Sequence, residues 1–200
     1  DSGNIQEMEV KQLNQRRAKR GQELVEPIYT QQDAMDTLTH FEGHPYEMWI
    51  TPAPGIRARY WNAGHLLGSA SIEVEVEQEG AKPLRLLFSG DLGPDNKMLQ
   101  PDPEAPANFD FVVCESTYGG RDRFERSEDG RREILAREVN EAIKKKGALL
   151  IPSFAVERTQ ELVTDLVKLM DQGLVPKATI FIDSPLASKA TSIFVKHAGE

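Results

Sequence analysis

The stretch Asn62-Ala63-Gly64-His65-Leu66-Leu67-Gly68-Ser69-Ala70 lies between two segments of β character. Before it, Ile56-Arg57-Ala58-Arg59-Tyr60-Trp61 alternates between apolar and polar. After it, Ile72-Glu73-Val74-Glu75-Val76-Glu77 alternates more cleanly. Successive strand side chains point to opposite faces. The second segment is therefore predicted to turn its isoleucine and valines to a core and its glutamates to water. Glu79-Gly80-Ala81-Lys82 reads as a turn and Leu84 to Phe88 as the return strand. Pro94 to Pro106 is a proline-rich loop, and Phe109 to Cys114 reads as a buried, nearly all-apolar strand.

Upstream, residues 7–20 are polar and helix-permissive, and an exposed helix there is predicted to stop near Gly21. Thr30 is placed to N-cap a second helix running to about Glu42, with Asp33 favourable in its first turn. Ala34, Met35, Leu38 and Phe41 fall on one face of it. Downstream of Gly119-Gly120 the pattern changes. Helices are expected over about 128–146, 156–172 and 187–197, separated by strands at 148–151 and 178–182. Strands alternating with helices predict a parallel sheet with right-handed crossovers. A domain change is placed near residue 120.

Composition bounds the class. The 200 residues are 39% hydrophobic and 28% charged, as in a globular protein. No apolar run approaches the roughly 20 residues of a membrane span. The chain opens on Asp1-Ser2-Gly3-Asn4, with no signal-peptide pattern and no starting Met, and is expected to be processed or excised. One cysteine, Cys114, excludes an internal disulfide framework and suits a reducing cytoplasm. Its apolar surroundings favour a small buried hydrophobe over a reactive thiol. The net charge of −8 argues against broad nonspecific nucleic-acid binding but leaves room for a local basic groove. Lys11, Arg16, Arg17, Lys19 and Arg20 form one basic cluster; Arg121, Arg123, Arg126, Arg131 and Arg132 form another. Solvated helix faces account for both.

Four segments can carry chemistry. His65, flanked by glycines that allow a sharp turn and close approach, can offer a neutral ring nitrogen to a metal; alone, it reads as a structural histidine. Asp91, in Ser89-Gly90-Asp91-Leu92-Gly93, follows an apolar strand and can coordinate or bridge cations, or simply cap a turn. Glu115, in Glu115-Ser116-Thr117-Tyr118-Gly119, again follows an apolar strand; it can orient a histidine or relay a proton, or be a polar strand end. Lastly, Ile151-Pro152-Ser153-Phe154-Ala155-Val156-Glu157-Arg158 and Asp183-Ser184-Pro185-Leu186-Ala187 each precede a predicted helix. Ser153, Arg158 and Ser184 can hold phosphate oxygens there, with ordinary N-capping as the alternative for the serines.

Taken in order, these motifs resemble the β-CASP branch of the metallo-β-lactamase superfamily. That branch includes the polyadenylation cleavage endonuclease and ribonuclease J. The resemblance runs over effectively the whole chain. It implies an α/β fold: a partial metallo-β-lactamase αββα sandwich over residues 1–119, then the opening of a parallel-sheet β-CASP domain over 120–200. It makes His65 a zinc ligand, Asp91 the carboxylate bridging two zincs, and Glu115 an acid supporting a later histidine. It implies a phosphodiesterase that cleaves RNA, single-stranded by preference, with metal-activated water. The branch's His-x-His-x-Asp-His cluster is absent: His40, His44, His65 and His197 are the only histidines, and none has that spacing. A two-zinc site needs about four to five ligands per ion. This chain alone is therefore expected to hold little or no zinc and to be inactive. Apolar strand surface left uncovered is expected to drive dimerisation, swapping or docking of further segments. Two other readings stay open: a non-catalytic RNA-binding or scaffold relative, and a metallo-hydrolase acting on something other than nucleic acid.

Overall fold

The computed structural model describes residues 2–104, 106–120 and 127–197, apart from the side chain of Glu128. Arg121, Arg123 and Arg126 of the second basic cluster lie outside the described residues. The chain forms two compact units, Asp1–His44 and Pro45–Glu200.

In the first unit, helix α1 spans Ser2–Lys19, with the predicted stop realised at Gly21, which takes a positive φ of 63°. Three basic residues, Arg16, Arg17 and Lys19, sit in its last turn, where the helix dipole favours them. Gly3 is buried because a Cβ there would stand 2.7 Å from the Thr30 carbonyl oxygen. The Asn14 amide clamps the backbone of Val25, accepting from its N at 3.0 Å and donating to its O at 2.8 Å. Thr30 caps α2, Gln31–Thr37, in a full capping box with Asp33. The helix then tightens into a 3-10 turn, Leu38–His40, short of Glu42. The predicted apolar face does not form over its full length: Phe41 falls past the helical turns in extended backbone, and Met35, Leu38 and Phe41 are largely exposed.

The second unit is α/β. Its sheet runs in the order β1 (Ile50–Ala53), β2 (Ile56–Asn62), β3 (Ala70–Val76), β4 (Leu84–Phe88) and β5 (Phe111–Val113). The first four are antiparallel neighbours, and β5 runs parallel to β4. Alternation in β3 is present, but its burial is the reverse of the prediction: Glu73 is 0% exposed and Ile72 is exposed. The cross-strand register explains this. Arg59 lies opposite Glu73, and Arg57 and Arg85 lie opposite Glu75. Arg59 Nε, Arg85 Nη2 and the Trp61 indole N–H donate to the Glu73 carboxylate at 2.7, 2.6 and 2.8 Å. Trp49 lies under the Arg57 and Arg59 guanidinium groups, 4.6 and 4.4 Å from ring centre to charge. The long arginine and tryptophan side chains cover the glutamate, so the polar face becomes the closed one.

The prediction of a buried β5 is also overturned. Phe111, Val112 and Val113 are all exposed, and so is Cys114. β5 is an edge strand, and among the described residues no layer covers it. Helices α3 (Glu128–Lys144), α4 (Arg158–Asp171) and α5 (Pro185–Lys196) lie close to their predicted places. Leu135 and Val139 of α3 meet Leu166 and Leu169 of α4 and Val175, with Ile180 packed against them. Asp165, buried in α4, takes Arg131 and Arg132 of α3 at 2.9 Å each. Segments 148–151 and 178–182 enter no ladder; Leu150 and Phe181 are 91% and 86% exposed. An apolar strand needs hydrogen-bonded neighbours, and neither segment has one among the described residues.

Candidate functional site

The glycines of the 62–70 stretch build a tight loop between β2 and β3. Gly64 and Gly68 take φ of 62° and 82°, which a side chain would strain. Ser69 closes the loop: its Oγ accepts from the backbone N of both His65 and Leu66 at 3.0 Å. Asn62 ties the loop's start to the proline-rich segment, donating to the carbonyls of Pro101 and Asp102. His65 is thereby presented, half-buried, at the end of the sheet.

The Asp91 loop leaves β4 beside it. Gly93 N donates to the Ala63 carbonyl at 2.8 Å, and a Cβ on Gly93 would stand 1.8 Å from the Gly64 carbonyl oxygen. Only a glycine lets the two loops lie this close. Glu115, just past β5, fastens the third strand end to the second: its Oε1 accepts from Leu92 N at 2.7 Å. Its own N donates to Ser89 Oγ at 3.0 Å, and Ser89 N donates to the Val113 carbonyl at 2.9 Å. The Thr117 hydroxyl and the Leu92 amide hold the Glu115 carboxyl below the usual carboxylate range, with His65 adding to the effect. Asp91 itself is exposed. Three segments separated in sequence thus bring His65, Asp91 and Glu115 to one end of one sheet.

An imidazole and two carboxylates are the right chemistry for zinc. Their number is short. Among the described residues, no group of three or more His, Cys, Asp or Glu side chains is placed to hold a metal ion.

The phosphate candidates gather separately. Ser184 Oγ accepts from Ala187 N at 3.2 Å and caps α5. Arg158 Nη1 pairs with the buried Glu161 at 2.8 Å. Ser153 Oγ is exposed and accepts from the Thr159 hydroxyl at 3.3 Å. The buried Gln160 amide draws the two segments together, donating to the Ala155 carbonyl at 3.1 Å and to Thr191 Oγ1 at 3.0 Å. Sequence reasoning missed the groups that hold the site: Ser69, Ser89, Lys97 and Glu157. The two serines stand inside the quoted motifs, where their hydroxyls were the available signal. Lys97 and Glu157 are 60 residues apart, and no spacing rule joins them.

No family model matches the chain. Among curated proteins, the chain is 35% identical over 172 residues to Ribonuclease TTHA0252 of Thermus thermophilus, an alignment covering 84% of this chain and 37% of that protein. It is 30% identical over 162 residues to Transcription termination factor FttA of Methanosarcina mazei, covering 80% of this chain and 25% of the relative. It is 29% identical over 177 residues to Endoribonuclease YSH1 of Gibberella zeae, covering 87% and 20%. The chain thus spans between 20% and 37% of the length of these relatives.

Proposed function

The chain belongs to the β-CASP family of the metallo-β-lactamase superfamily, and from that premise we propose that it is part of a zinc-dependent phosphodiesterase that cleaves RNA. The observation that carries this reading is the convergence of His65, Asp91 and Glu115 on one sheet end, with Gly93 and the Leu92 amide locking their loops together.

In this reading His65 and Asp91 would hold zinc, the first through an imidazole nitrogen and the second through its carboxylate. Glu115 stays ionised and orients a further histidine. The remaining ligands come from outside the described residues, and these residues alone hold little or no metal. When bound, zinc supplies the Lewis acidity that readies water for attack at phosphorus. Residues 1–119 contribute the metallo-β-lactamase part. Residues 120–200 open the β-CASP part, whose segments 148–151 and 178–182 become parallel strands once neighbours flank them. Ser153, Arg158 and Ser184 stand near helix N-termini, where backbone N–H groups and a guanidinium suit the phosphates of single-stranded RNA. Among the described residues no helix is long and apolar enough to cross a membrane. We place the activity in the cytoplasm, where the exposed Cys114 stays reduced.

The test is cleavage of matched single-stranded RNA and DNA oligonucleotides by the full-length natural protein. The expected result is RNA cleavage that stops on chelation and returns with zinc. RNA binding with no cleavage under any metal would replace this reading with a scaffold role. Hydrolysis of thioesters or lactams in place of RNA would move the protein to another substrate class.

A further inference from the structure

We propose that Lys97 and Glu157 are positioning residues: a buried ion pair reaches from the start of α4 to the backbone of His65 and sets the site's loop against the segment carrying Ser153 and Arg158. The proposal rests on the reading of His65 as a ligand. Lys97 Nζ donates to the His65 carbonyl oxygen at 2.6 Å, a short, charge-assisted bond. The same ammonium stands 3.3 Å from Glu157 Oε1, and the two side chains are only 6% and 5% exposed. Glu157 Oε2 accepts from the Gln100 amide at 3.0 Å, so both of its oxygens are engaged. Salt screens such a pair little.

Two further observations separate this pair from a general stabilising contact. Glu157 has φ of 71° and ψ of −65°, a conformation that non-glycine residues rarely take. Strain of this kind persists where the surroundings over-determine the backbone, and it clusters at functional sites. Burial also pushes the Glu157 carboxyl above its ordinary range although Lys97 opposes it, so desolvation outweighs the attraction. A pair of that sort adds little net stability, and geometry is what it maintains. Its position suits that task. One end holds the backbone of His65, and the other begins the helix whose preceding turn carries Ser153.

The test uses the full-length natural protein with Lys97→Met, Lys97→Arg and Glu157→Gln. Hydrogen–deuterium exchange of residues 63–69 is read beside that of 56–62 and 70–76, together with RNA cleavage kinetics. Lys97→Met is expected to speed exchange at 63–69 and to lower kcat by about tenfold, the low end of what groups behind metal ligands contribute. KM should rise together with the fall in kcat, because the same link aligns the segment carrying Ser153 and Arg158. Lys97→Arg keeps a donor for the His65 carbonyl and should recover most of the loss. The Lys97→Met, Glu157→Gln double variant should be no worse than Lys97→Met, since both act through one link. Unchanged exchange at 63–69, or acceleration shared equally with 56–62 and 70–76, would overturn the proposal. If Lys97→Met does not fold, Glu157→Gln, which preserves shape while removing the charge, carries the same comparison. If the wild-type protein cleaves no RNA, the functional reading falls, while the exchange data still decide whether the pair holds the His65 loop.

Discussion

The sheet β1–β5 and the helices α3–α5 belong to one compact unit, yet they satisfy their chains differently. Strands β1–β4 pair with sequence neighbours through short turns. Their ladder closes locally, and the loops at its end are tied down by Ser69, Gly93 and Glu115. The helices share a core around Leu169, but the segments between them, 148–151 and 178–182, enter no strand ladder among the described residues, and Leu150 and Phe181 stand in solvent. Antiparallel hairpins need only local chain, whereas parallel strands need a crossover and neighbours from elsewhere. His65 and Asp91 leave the locally closed strands β2 and β4, whereas Glu115 follows β5, which joins the sheet in parallel at its edge.

Glu73→Ala should break the sheet side of this comparison most severely. It leaves Arg59 and Arg85 beside an empty pocket and should cost about 3–5 kcal/mol, as removal of one partner from a buried ion pair does. Thermal unfolding followed by exchange of β2 and β3 checks it. The pH dependence has a definite sign. Burial pushes the Glu73 carboxyl up, but Arg59, Arg85 and Trp61 together hold it below its ordinary value. Its contribution is therefore present above the unfolded-state pKa and is lost as pH falls through the lower folded-state value. Glu73→Gln should flatten that acid limb.

Leu169→Ala tests the helical side. Leu169 is 1% exposed at the centre of the α3–α4 contact, and its truncation should cost about 2–5 kcal/mol. Loosening confined to α3–α5 peptides would sharpen the contrast; equal loosening of β2 and β3 would erase it. Gly93→Ala should cost about 1–3 kcal/mol by overpacking. It should also lower RNA cleavage by about 100-fold in the full-length protein, because it parts the His65 and Asp91 loops by enough to misplace reacting groups. Ser184→Ala is the mildest, at about 1 kcal/mol for a lost N-cap, readable as fraying of α5. A loss of RNA affinity beyond that fraying would mark Ser184 as a phosphate contact as well.

Much of this organisation was legible in the sequence because it is local. Thr30 with Asp33 announced α2, Ser184 before Pro185 announced α5, and alternation in 72–77 announced β3. What the alternation could not supply was which face is closed. That depends on Arg59 and Arg85 arriving from two other strands to cover Glu73. Cys114 and β5 were misread for a related reason: an apolar run shows what a segment would bury, not whether a layer exists to bury it. The His65, Asp91 and Glu115 motifs were each weak alone, and their order carried the family. The Lys97–Glu157 link was invisible: Glu157 stands inside the quoted 151–158 motif, but nothing in the sequence joins it to Lys97, 60 residues away in the proline-rich loop.

The most direct test of the whole account is the rate of RNA cleavage by full-length Asp91→Ala protein with zinc supplied. If Asp91 holds metal at the convergence of the three loops, the rate should fall by at least about 100-fold while the fold, read by exchange of β2–β4, stays intact. A correctly folded Asp91→Ala protein that cleaves RNA at the wild-type rate would contradict the account.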